Sequence, residues 1–180
     1  MATDHPTAAA GARGGALLPF DHWGSDTILL CLGLEADGSG WSAWGGSSAP
    51  SDGGSALVTA VREACEESLL VLGTPEELAR AAWPRPVHVA RDGFATFAVP
   101  MRCRHRMAQE FARERSAVEA ELRGMGDDGA ALRDKSALVW VDAKLLLDDE
   151  RWTLRPAFRR SLQHVIDAIR ARSSRAGHRR

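Results

Sequence analysis

The sequence predicts an α/β (α+β) domain, with strands and helices interspersed along one chain. Three stretches carry that prediction. Residues 27–34 (TILLCLGL) are a continuous apolar run between turn residues, the pattern of a buried strand. Residues 55–70 repeat apolar side chains at helical spacing, with Leu57, Val58, Val61, Ala64, Cys65 and, beyond them, Leu72 on one side. Residues 157–170 do the same, with Phe158, Leu162, Val165, Ile166 and Ile169 on one stripe.

The other elements follow in order. Residues 1–14 are rich in Ala, Gly and Thr and are expected to be a disordered N-terminus. Residues 16–20 read as a short strand and 21–26 as a turn around Gly24. Residues 36–40 (ADGSG) make a hairpin turn after the 27–34 strand. Trp41 to Trp44 then lead into Gly45-Gly46 and a loop of Ser, Pro, Asp and Gly. Ser55 ends that loop as the cap of the 55–70 helix. Residues 74–82 open with Thr74, Pro75 and Glu77 at capping-box spacing and read as a short helix, stopped by Pro84 and Pro86. Residues 87–90 and 94–101 form a strand pair about the turn Arg91-Asp92-Gly93. Residues 107–122 are helical, and Glu110, Glu114, Glu119 and Glu121 alternate with arginines as on a solvated, ion-paired face. Residues 124–129 read as a loop, 138–141 as a buried strand, and 142–147 as a short helix or turn. Residues 171–180 read as a basic, flexible tail.

Composition bounds the function classes. One hundred and eighty residues suit one domain, here 15–170, with a core of useful size. Apolar content of 44% and charged content of 26% are those of a soluble globular chain, and the net charge of −1 selects no polyanionic partner. Cys31, Cys65 and Cys103 cannot all pair, and Cys31 and Cys65 sit in apolar patterns. The absence of a CxxC or His/Cys ligand spacing argues against structural zinc, and this cysteine usage fits a reducing, cytoplasmic compartment. Neither a signal peptide nor a membrane span is expected, since no long apolar run exists.

The chemistry concentrates on the 55–70 helix. Glu63, Glu66 and Glu67 lie at i, i+3 and i+4, so their carboxylates share a face. Like charges at that spacing disfavour a helix unless something compensates them, and hard divalent cations bind carboxylate oxygens. Arg62 borders the same face, four residues before Glu66. Taken alone, three such glutamates are as well explained by a solvated acidic face.

With the loop before it, the segment resembles the Nudix box, Gly-x5-Glu-x7-Arg-Glu-U-x-Glu-Glu-x-Gly-U, where U is aliphatic. Gly46 matches the box glycine, and Asp52 stands at the first Glu. Arg62-Glu63-Ala64-Cys65-Glu66-Glu67-Ser68 matches the central run, and Leu70 closes it. Three departures are Asp52 for Glu, two extra residues at Gly53-Gly54, and Leu69 for the second glycine. The order Leu-Gly-x-Glu (32–35), a turn, then Trp-Ser-x-Trp-Gly-Gly (41–46) also resembles Nudix proteins. So do Asp134-Lys135-Ser136 ahead of Val139-Trp140-Val141, and Leu154-Arg155-Pro156 before the closing helix.

The resemblance implies a Nudix fold, a mixed β-sheet sandwiched between helices, and hydrolysis of a pyrophosphate bond in a nucleoside diphosphate linked to another group. It implies Mg²⁺ or Mn²⁺ held by Glu63, Glu66 and Glu67 with the carbonyl of Gly45 or Gly46. One of these glutamates, or one of the four on 107–122, would be the general base. Arg62 would orient a glutamate and Asp52 would steady the loop. Trp41 and Trp44 are either core residues or a platform for a base, and Arg155 either meets a phosphate or is an ordinary surface arginine. The alternatives are a catalytically inactive Nudix-fold module that binds nucleotides or proteins, and an RNA-directed (cap) hydrolase engaging RNA through the basic tail. Many Nudix proteins form homodimers, which this sequence neither requires nor forbids.

Overall fold

The computed structural model of the protein describes residues 13–24, 26–124 and 134–177. The expected N-terminal segment up to 12, most of the 124–129 loop and the last three residues of the tail lie outside the described residues. The strands are β1 (Gly14–Trp23), β2 (Thr27–Glu35), β3 (Trp41–Ser42), β4 (Trp44–Ser47), β5 (His88–Val89), β6 (Phe94–Pro100) and β7 (Lys135–Asp142). The helices are α1 (Ala56–Ser68), α2 (Pro75–Ala81), α3 (Met107–Gly124), α4 (Ala143–Asp148) and α5 (Pro156–Gly177).

All seven strands join one mixed sheet. β1 runs through its middle, parallel to β6 and antiparallel to β2 and β4. It outlasts the expected 16–20 strand because its two halves have different partners. Gly14 to Leu17 pair with β4, whereas Phe20 to Trp23 pair with β2. β2 also pairs along its length with β7, and its end pairs with β3.

Side chains alternate across the sheet, so each face carries its own core. Leu18, Phe20, Leu30 and Leu32 pack with Phe158, Leu162, Val165 and Ile166 of α5. Leu17, Cys31, Phe97 and Val99 pack with Ala60, Ala64 and Cys65 of α1, Leu78 of α2 and Phe111 of α3. The expected sandwich of a mixed sheet between helices is the observed architecture. All three cysteines are free, and Cys31 and Cys65 are buried.

Two local readings change. Val58, counted on the apolar side of α1, is 48% exposed, and Thr59 and Ala60 are the buried pair. Thr59 can face inward because its hydroxyl donates to Asp52 at 2.9 Å and so meets a partner there. The helix expected to end at 170 continues to Gly177, so 171–177 are helical rather than a flexible tail. Arg172 stabilises that extension. Its guanidinium lies 5.4 Å from the Trp83 ring and donates to the carbonyls of Arg85 and Pro86. Among the described residues no helix is long and apolar enough to cross a membrane.

Candidate functional site

α1 lies across β1 and β4, and its acidic face is turned toward the start of β4. Ser55 caps the helix, accepting from Val58 N at 3.4 Å. Gly45 and Gly46 pair with Ala16 and Gly15 of β1, which fixes them beneath the glutamates. Gly45 N donates to Glu67 Oε2 at 2.7 Å. Gly46 is needed for the close approach of Glu63, because a methyl group there would lie 2.6 Å from the carboxylate. The Gly46 carbonyl, in turn, lies against Gly14 of β1.

Arg62 organises the more exposed end of this face. It donates through Nε and Nη2 to the two oxygens of Asp52 at 2.9 and 3.1 Å, and through Nη1 to Glu66 at 2.9 Å. Nη2 also reaches Ser47 O at 3.1 Å and the Glu63 carboxylate at 2.8 Å. Asp52 is buried and further accepts from Ala49 N and Thr59 Oγ1. The Arg62 guanidinium, then these hydrogen bonds, hold its carboxyl well below the usual carboxylate range. The two-residue insertion at Gly53-Gly54 is accommodated after the 3-10 turn Pro50–Asp52, so Asp52 still meets Arg62.

A second cation holds the other end. The Lys135 side chain is fully buried, and its Nζ sits 2.6 Å from Glu35 Oε1, 2.8 Å from Ser42 Oγ and 3.5 Å from Glu67 Oε1. Ser42 Oγ donates to the same Glu35 oxygen at 2.6 Å, and Arg155 Nη1 lies 3.3 Å from it. Sheet register makes this contact, since Glu35 of β2 is opposite Lys135 of β7. Gly33 clears the path of the lysine stem, because a methyl group there would come within 2.8 Å of Lys135 Cδ. Arg155 is placed by backbone: Trp41 N donates to Thr153 O at 2.8 Å and Arg155 N donates to Trp41 O at 3.0 Å.

Burial dominates the electrostatics of the glutamates. Glu63 is raised by burial against the opposing pull of Arg62, with Glu66 and Asp134 adding to the rise. Glu67, whose side chain is only 6% exposed, is pushed up to about 8. Burial is the main cause there, and Lys135 and the Gly45 N–H offset it only in part. Among the described residues no three His, Cys, Asp or Glu side chains already surround a common point for a metal ion. The donor set nevertheless suits a hard divalent cation, being carboxylate oxygens that burial and mutual repulsion leave short of positive charge.

The remaining expected residues divide. Trp44 is completely buried, donates to Cys31 O at 3.1 Å and packs edge-on against Phe111, so it offers no face to a base. Trp41 is half-buried against Trp152, also edge-on. Arg155 is half-exposed and lines a cleft of about 300 Å³ with Gly45, Gly46, His88, Phe94 and Thr96. Burial, then His164 beside it, lower the His88 imidazole and keep it neutral. Three of the four α3 glutamates pair with arginines: Glu110 with Arg104, Glu114 with Arg113, Glu119 with Arg115. Outside the 45–70 segment, Glu35 approaches the site through Lys135, and Asp134 lines the crevice before Glu66 and Glu67. Glu35 and Lys135 stand in stretches that resemble Nudix proteins, but nothing in the sequence pairs them with each other or with Glu67.

The exit of α1 carries strain. Leu69 and Leu70 both have left-handed backbones, φ 53° and 62°. Leu70 N donates to Cys65 O at 3.0 Å and Leu69 N to Glu66 O at 3.2 Å, the bonds of a Schellman end. The chain thus keeps the conformation that glycine adopts freely, at a cost of about 1 kcal/mol or more per leucine.

A known structure matches this arrangement as a whole. The crystal structure of a Nudix hydrolase from M. smegmatis, RenU, superposes with a TM-score of 0.53 over 90% of this chain and 88% of that chain, at 14% sequence identity. The fold is the Nudix fold. At that identity the likeness is one of fold. No protein-family model matches the sequence, and no curated protein matches it.

Proposed function

We propose that the chain is a Nudix-type hydrolase that cleaves a pyrophosphate bond in a nucleoside diphosphate linked to another group. The observation that carries this reading is the placement of Glu63 over Gly46 and Glu67 against Gly45, with Arg62 clamped between Asp52 and Glu66. Glu63, Glu66 and Glu67 would hold Mg²⁺ or Mn²⁺. Such an ion neutralises phosphate oxygens and acidifies bound water.

The chain's own residues supply the rest. Arg62 fixes the direction of Glu66 through charge-assisted hydrogen bonds and is itself fixed by Asp52. One of these three glutamates, or one outside the segment, would take the proton from attacking water, and burial gives Glu67 a raised proton affinity. Arg155 keeps donors beyond its contact with Glu35 for a substrate phosphate. The cleft beside Gly46 has the size for one nucleoside, with Phe94 to stack on a base and His88 as a neutral hydrogen-bonding partner.

The test is hydrolysis of a panel of pyrophosphate-linked nucleotides with Mg²⁺ or Mn²⁺, beside the E66Q/E67Q variant. Turnover by the native chain alone supports the reading. Equal release from both proteins, or none from either, opposes it. A non-catalytic binding module is the second reading. It draws on the pairing of Glu66 with Arg62 and of Glu67 with Lys135, which leaves the carboxylates engaged inside the protein. Nucleotide binding without turnover or Mn²⁺ binding favours that module.

A further inference from the structure

We infer that Lys135 is a resident cation of the carboxylate site, doing at the Glu67 end what a second divalent ion would otherwise do, so that the chain takes one divalent ion. The inference rests on the hydrolase reading above and extends it to metal stoichiometry. Three observations carry it. The Lys135 side chain has no exposed surface, so its ammonium belongs to the interior of the site. It contacts Glu35, Ser42 and Glu67 at 2.6, 2.8 and 3.5 Å, using its donors on the same kind of oxygen ligands that a hard cation takes. The approach is built rather than incidental, since Gly33 leaves the gap through which the lysine stem passes.

Charge balance then limits the metal. With every carboxylate ionised, as metal ligands are, Asp52, Glu63 and Glu66 share Arg62 at one end of the site, and Glu35 and Glu67 face Lys135 and Arg155 at the other. Five carboxylates against three cations leave two negative charges, which one divalent ion neutralises. Asp134 and Arg115 line the crevice in front of Glu66 and Glu67 and add one charge of each sign. The uncompensated carboxylates are Glu63 and Glu66, which share the single guanidinium of Arg62 with Asp52, so the divalent ion belongs at their end. Lys135 acts through Glu67 and is a positioning residue: it turns one Glu67 oxygen inward while Gly45 N holds the other.

The test is titration of the full chain with Mn²⁺, counting ions by calorimetry and by the electron paramagnetic resonance of free Mn²⁺. The native chain is expected to bind one ion. K135M should bind a second, and K135R should behave as the native chain does. Two or more ions on the native chain would overturn the assignment of Lys135 while leaving the hydrolase reading in place. One ion on both the native chain and a folded K135M would overturn it equally. No ion on either protein would remove the metal-dependent reading, and this inference with it. A native count of two or more overturns the inference even if K135M fails to fold.

Discussion

At one end of the acidic face, Arg62 reaches Asp52, Glu63 and Glu66, all within ten residues of it along the chain. At the other, Lys135 reaches Glu35, Ser42 and Glu67, between 68 and 100 residues away. The Arg62 side chain is 27% exposed and Glu66 is 59% exposed, whereas Lys135 is at 0% and Glu67 at 6%. The two cations are therefore unequal in energy. Ion pairs in contact with water contribute little, because solvent screens them. A buried cation must be matched, and removing it leaves buried carboxylate charge without its counter-ion. The open end can change partners and bind something from solution, while the closed end is part of the fold.

The largest expected effect tests whether the ends serve one reaction. E66Q and E67Q should each lower turnover of whichever nucleotide is cleaved by at least roughly 100-fold, the upper range for groups that only support a metal ligand. They should differ in stability. E66Q should unfold in urea within about 0.5 kcal/mol of the native chain, as exposed substitutions do. E67Q changes a buried group, so its unfolding midpoint should move. Equal midpoints for the two would erase the distinction between open and closed ends.

The next effect is on stability alone. K135M should cost about 3 kcal/mol in urea unfolding, the scale for breaking a buried ion pair from one side. Replacing Glu35 as well, as E35L/K135M, should return part of that loss because both buried charges then leave together. A loss for K135M under 1 kcal/mol would show that Lys135 is less enclosed than its position indicates.

Asp52 sharpens the comparison from the Arg62 side through pH. Its carboxyl is held below its usual value near 3.8 in the folded state. The stability it contributes is therefore fully present above the unfolded value and is lost as pH falls below about 4. Stability measured against pH should fall with acid in the native chain. The gap between the native chain and D52N, widest near neutrality, should close in that acid range. A gap that is constant with pH would mean that Arg62 does not set the proton affinity of Asp52.

The smallest effect is a control that touches neither cation. L69G should raise stability by about 1 kcal/mol, since glycine adopts the left-handed conformation without the leucine penalty. Turnover should be unaltered. A destabilised L69G would mean that the leucine side chain contributes more by packing than its backbone costs.

Much of this was legible from the residues. The strands at 27–34 and 94–101, the Thr74–Glu77 capping box and the acidic face of α1 depend on neighbours one to four positions apart, and periodicity reports such neighbours directly. Asp52 was placed despite the two-residue insertion because Arg62 and the glutamates kept their spacing. The roles of Trp41 and Trp44 were not separable, because three residues of an irregular strand pair decide which ring faces the core. The glutamates on α3 looked as suitable as any, and Glu35 and Lys135, though within stretches resembling Nudix proteins, carried no signal that they meet.

The sequence by itself determined the order of elements, the Arg62 end of the site and the Nudix resemblance, since each rests on local spacing. Only the tertiary structure decided that Lys135 meets Glu67, that Trp44 is core and that Leu69 takes a glycine conformation. Those outcomes depend on the register of β2 against β7 and on which side chains share a buried space. Such contacts are set by the free energy of the whole packed sheet, and no short window of the chain contains them.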